Sequence, residues 1–133
     1  MSSITILDNE HVTIWYHPDK KIIHHQFHKF MHGQALRDAL TAGTDAMKKY
    51  GAHKWLSDDR QNSAIPQKDL EWAHKEWFPR TVLSGWKYWA IVLPENIVGQ
   101  MNMNREAKIN SERGIITAKF DNPDEAMAWL EKQ

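Results

Sequence analysis

Asp58-Asp59-Arg60 is the cluster in this 133-residue chain whose residue types and spacing come nearest to chemistry. It directly follows a β-rich stretch, and ligands of open α/β sheets bind beyond the carboxyl ends of strands. Two adjacent carboxylates can hold a hard cation or shift one pKa toward acid–base work, with Arg60 holding an anion. The plainer reading is an aspartate-rich turn, capped by its own side chains and neutralised by Arg60. No third ligand is identifiable and neighbours along a strand point to opposite sides, which favours the turn.

His24 and His28 share a face of one predicted strand. At ~3.3 Å per residue they stand about 13 Å apart, too far to chelate one ion. Only a helical turn after Phe27, setting His28 and His32 four apart on one face, would make a chelating pair. The expectation is a polar, partly titrating strand face and no bound metal or other cofactor.

Seven tryptophans are many for this length. Trp55, Trp89 and Trp129 read as core, whereas Trp72, Trp77 and Trp86 flank the region after Asp58 and could wall an apolar cleft. Met101 and Met103 would supply adaptable lining. The candidate ligand-binding residues are therefore Asp58, Asp59, Arg60, Trp72, Trp77, Trp86 and Met101. No phosphate-cradling glycine loop, serine nucleophile elbow, zinc-histidine pair with a glutamate or basic aromatic RNA motif is present, and no residue is assigned a catalytic role.

The elements that must position these residues read as α/β. Ile4-Thr5-Ile6 and His11 to Tyr16 predict a hairpin around Asp8-Asn9, and Lys21 to His28 a third strand with Ile23, His25 and Phe27 on one face. Leu36, Leu40, Gly43, Met47 and Tyr50 recur at helical spacing between Gln34 and Tyr50, with Gly51 as the stop. His53 to Ser57 predicts a strand, and a helix starting near Pro66 should turn Leu70, Ala73, Trp77 and Val82-Leu83 inward. Pro79 predicts a kink in that helix or two short helices meeting there.

Tyr88 to Leu93 is the most continuously apolar run and predicts a central strand covered on both faces. Asn96 to Arg113 predicts a helix with Ile97, Met101, Ala107 and Ile109 inside, and Ile115 to Phe120 a last strand. Asn122, Pro123 and Glu125 then give a capping arrangement worth ~1 kcal/mol for a closing helix whose buried stripe is Ala126, Trp129 and Leu130. The pattern is a mixed sheet of four to six strands with an N-terminal hairpin and about four helices, in one domain over residues 1–133.

Composition narrows the function. There is no cysteine, which excludes disulfides, thiolate metal sites and cysteine nucleophiles and suits a reducing cytoplasm. Seventeen basic residues balance seventeen acidic ones, removing the broad electrostatic case for nucleic acid. No signal-like or membrane-spanning run is expected. A sequence pI of about 7.1 weakens self-repulsion, so a homodimer is plausible.

Three strings carry a likeness to a family: Lys54-Trp55-Leu56-Ser57-Asp58-Asp59-Arg60, Trp72 with Trp77-Phe78-Pro79-Arg80, and Phe120-Asp121 to Ala126-Met127-Ala128-Trp129-Leu130. With the order of elements, they make nearly the whole chain resemble the SpoIIAA-like family, small bacterial domains related in fold to STAS domains and to the lipid-binding CRAL-TRIO fold. The resemblance implies a sheet with helices mainly on one side and members that mostly lack an assigned biochemical role. STAS domains that antagonise anti-sigma factors carry a phosphorylatable serine in an Asp-Ser-Ser-Gly-like segment at a helix start. Here Asn62-Ser63-Ala64-Ile65-Pro66 places Ser63 roughly there without the surrounding motif, so Ser63 also reads as a plain loop residue.

The resulting expectation is a non-catalytic regulatory or binding module acting through a protein partner. The alternatives are a domain that binds a small apolar ligand or lipid, and an enzyme using Asp58, Asp59 and Arg60.

Overall fold

Alternating apolar residues in the first thirty positions make three antiparallel strands. The computed structural model describes residues 2–133 and sets them as β1 (Ile4–Asp8), β2 (Val12–His17) and β3 (Ile22–Phe27). Asn9 Oδ1 accepts the N–H groups of His11 and Val12 at 2.8 and 3.0 Å, closing the predicted hairpin with a side-chain turn.

Helical periodicity then takes over. α1 (Gly33–Tyr50) leads to β4 (Lys54–Asp58); α2 (Gln67–Trp72), a π-helical turn (Ala73–Trp77) and α3 (Phe78–Leu83) lead to β5 (Tyr88–Val92). α4 (Ile97–Glu112), β6 (Ile116–Phe120) and α5 (Pro123–Glu131) complete the chain. The six strands lie in the order β1-β2-β3-β4-β5-β6, antiparallel from β1 to β3 and parallel from β3 to β6. This is the mixed α/β sheet the sequence predicts. Among the described residues no helix is long and apolar enough to cross a membrane.

The two faces are covered differently. Side chains of α1, α3, α4 and the π-helical turn meet Ile23, Phe27, Trp55, Trp89 and Ile91 on one face. On the other, Ala126 and Leu130 of α5 close over Ile22, Leu56, Ala90 and Val92. β5 is thus buried on both sides, as its unbroken apolar run requires. Asn122 caps α5, its Oδ1 accepting the N–H groups of Asp124 and Glu125 at 2.7 and 3.3 Å.

Two expectations are corrected and one is made specific. Two short helices, α2 and α3, do meet beside Pro79, which stands in the first turn of α3, and a π-helical turn joins them. The helix continues through a widened turn in which Phe78 N–H bonds Ala73 O five residues back, and this extra residue accommodates a ring that has no N–H to give. Val82 and Leu83 face solvent, Leu83 at 90 % exposure, while Phe78 and Thr81 are the buried residues of α3. In α4 the inward face is Gly99, Asn102, Met103, Glu106, Ala107 and Asn110, while Ile97 and Met101 are exposed. Ala107 is buried as expected and Ile109 half-buried, but Ile97 and Met101 do not mark the core side.

Candidate functional site

Three parallel strands and four helical segments line a cavity of about 60 Å³ on the side away from α5. A water needs roughly 10–15 Å³ of such space, so it holds about four. Phe27, Leu36, Leu40, Trp77, Trp89 and Met103 form apolar walls. Into them project His25 and Ser57 from the sheet, Asp59 from just beyond β4, and Glu106 and Asn110 from α4.

His25 and Asp59 are both buried, with Asp59 Oδ1 2.7 Å from His25 Nε2. Trp55 Nε1, an obligate donor, lies 3.0 Å from His25 Nδ1. Nδ1 therefore accepts, Nε2 carries the proton and donates to Asp59, and the contact is a hydrogen bond to a neutral ring. Ser57 Oγ accepts from Trp89 Nε1 at 2.8 Å. With both nitrogens of His25 occupied, Ser57, His25 and Asp59 do not form a nucleophile–base–acid relay.

Glu106 Oε1 lies 3.1 Å from His74 Nε2, a residue aimed across by the π-helical turn. Burial pushes the Glu106 carboxyl above its usual range, and His74 and Arg105 pull it back in part. One turn further, Asn110 is 5 % exposed and its Oδ1 has no hydrogen-bond partner. Unpartnered buried polar atoms are rare, and here one belongs to a residue that lines the cavity. Asp69, also in the lining, is already used. Its Oδ2 accepts Gly33 N–H at 2.8 Å and its Oδ1 accepts Arg37 Nε at 3.1 Å, which caps α1 from a neighbouring helix.

The predicted site residues are divided by this geometry. Asp59 and Trp77 line the cavity. Asp58 faces the other side of the sheet, as alternation demands, and Arg60 grips it there with Nε and Nη2 at 2.9 and 2.8 Å. Those bonds raise the Arg60 pKa further. Asp58, Asp59 and Arg60 therefore do not converge, and the alternative of a shared catalytic or cation site gives way to one closed ion pair and one cavity residue.

Trp86 is buried within a tryptophan cluster, 5.2 Å from Trp77 and 5.5 Å from Trp89 between ring centroids, and does not reach the cavity lining. Trp72 lies half-buried beneath the Arg37 guanidinium, which sits 5.4 Å from its ring, outside the lining. Met101 is 61 % exposed and Met103 takes the inner place. Ser63 stands by the start of α4 rather than α2, its Oγ donating to the cap residue Asn96 at 3.4 Å.

The histidines regroup as well. His24 pairs with His17 at 3.0 Å, whereas His28 bonds Thr13 Oγ1 at 2.7 Å and His32 stacks on Phe30. Among the described residues no three His, Asp or Glu side chains gather as a metal site.

Sequence reasoning missed His25, Glu106 and Asn110. A signal existed for His25, which alternation places between Ile23 and Phe27 on an apolar face. The chain matches no family model, no curated protein and no solved structure.

Proposed function

We propose that the chain is a non-catalytic binding module that takes a small ligand with an apolar body into the cavity beneath α4. One observation carries this reading: a buried polar side chain without a partner, Asn110, lines a small cavity whose apolar walls hold a few polar groups. The order of strands and helices is compatible with the SpoIIAA-like resemblance, and the relation of that fold to lipid-binding domains points the same way by analogy. Native mass spectrometry of the protein purified from its own host tests it. A small organic adduct is expected, and Ala73→Leu, which fills the space between α2 and α4, should abolish it. Bare protein from both would overturn the reading.

A regulatory module acting through a protein partner is the second reading. It is favoured by Ile97, Val98 and Met101, exposed together in the first turns of α4. The simplest such partner is a second copy of the chain, and light scattering that finds a monomer at every concentration would exclude that homodimer.

A further inference from the structure

We propose that the polar end of this cavity is a recognition site for an ammonium group carried on a short alkyl chain. The inference rests on the binding reading above and names the charge of the ligand.

Among the residues lining the cavity there is no lysine or arginine, but there are three carboxylates. Asp69 is compensated by Arg37 and by the first N–H of α1. Asp59 is not: its one side-chain hydrogen bond among the described residues comes from a neutral imidazole, and Oδ2 receives none. Glu106 has the half-buried His74 against one oxygen and feels Arg105 without a direct ion pair to it. A buried carboxylate without a cation is costly, because low-dielectric surroundings replace its water shell and return little. An incoming cation would reverse that cost, whereas an anion would add to it.

Asn110 is the independent sign that the occupant is polar at this end. It sits one turn from Glu106 on the same face of α4, within about 5–6 Å between Cβ atoms, and has a buried oxygen that nothing in the protein serves. An ammonium group has three N–H donors and no acceptor. In the proposed complex its donors serve Asp59 Oδ2, Glu106 and Asn110 Oδ1, which line the same cavity, and its alkyl chain takes the apolar lining of Leu40, Trp77 and Met103. The space admits a chain of few carbons.

Three probes of nearly equal shape test this: isobutylammonium, isobutanol and isobutyrate, each titrated into the isotope-labelled full chain and followed by NMR at pH 7. Isobutylammonium is expected to bind at least tenfold more tightly than isobutanol, to shift the Asn110 side-chain amide and the Trp77 and Trp89 indole signals, and isobutyrate is expected not to bind. Asp59→Asn keeps an oxygen for His25 and should erase the preference while leaving isobutanol affinity in place. Glu106→Gln, which keeps the shape of α4, should reduce the preference several-fold and serves if the first variant does not fold. Equal binding of isobutylammonium and isobutanol would overturn the ammonium assignment and leave the binding reading standing. Absence of cavity shifts with all three probes would overturn both.

Discussion

Beneath α5 the sheet presents Ile22, Leu56, Ala90 and Val92, and with Ala126 and Leu130 they form a patch in which no side chain retains exposed surface. The opposite face is larger and differently made: it buries tryptophans, His25, Asp59, Glu106 and Asn110, and leaves a cavity among them. Aliphatic burial contributes about 25 cal/mol per Å², so the first face stabilises without needing any precise partner. The second gives up part of that return to hold polar groups in fixed places. Asp58 and Asp59 show the contrast in two consecutive residues. One is sealed by Arg60 on the α5 side; the other meets only a neutral ring inside the cavity.

The sharpest way to break this comparison is to truncate each face. Leu130→Ala leaves a hole in the aliphatic patch and is expected to cost about 2–5 kcal/mol in urea unfolding. A loss below 1 kcal/mol would mean that the α5 face is not the rigid one. Gly43→Ala comes next, because a Cβ at Gly43 would overlap the Trp55 indole. Despite alanine's better helix propensity, about 1–3 kcal/mol should be lost by the same measurement. An unchanged midpoint would show that the tryptophan side gives way throughout, not only at its cavity.

Protonation gives a smaller effect. Burial, with His17 and His25 nearby and Asp58 opposing, holds the His24 pKa at about 3 against an ordinary 6.5. Between those values the unfolded chain binds a proton that the folded chain refuses. Stability is therefore complete above about pH 6.5 and falls as pH drops toward 3, at about 1 kcal/mol per pH unit. His17 is lowered too, chiefly by burial, and adds in the same direction. Urea titrations at pH 6.5 and 5.5 should show this loss in the native sequence and a smaller one in His24→Gln. The smallest effect is expected at Asn110→Leu. Removing a buried oxygen that nothing serves should leave the ligand-free stability within about 0.5 kcal/mol or raise it, in contrast to Leu130→Ala.

Most of the architecture was legible because it follows from local periodicity. Alternation marks β1 to β3, the unbroken run Trp89 to Val92 marks a strand covered twice, and Asn122-Pro123 marks the start of α5. The inner face of α4 was not legible, since hydropathy selects Ile97 and Met101 whereas tertiary packing buries Asn102, Glu106 and Asn110. The widened turn before Pro79 was not legible either. A proline announces a missing donor without saying whether the helix bends, stops or takes up an extra residue.

The site itself was half visible. Asp59 and Trp77 stand where the loop-and-helix region suggested, but the partner that defines Asp59 is His25, 34 positions away in sequence. Alternation puts Trp55, Ser57 and Asp59 on one face and His25 on the same face of the neighbouring strand. That two rows of side chains bond to each other depends on the β3–β4 register, in which His25 lies beside Ser57. Short-range patterns do not encode register across a parallel crossover.

Trp55, Trp77, Trp86 and Trp89 form one connected set, with consecutive ring centroids 5.2–6.1 Å apart and every indole N–H bonded. Indoles this close share excitation energy, so their ultraviolet emission belongs to the set rather than to any one ring. Two of the four walls of that shared chromophore, Trp77 and Trp89, touch the cavity. A molecule without colour of its own would thus change the light of all four when it enters, and the protein carries its own optical gauge of occupancy.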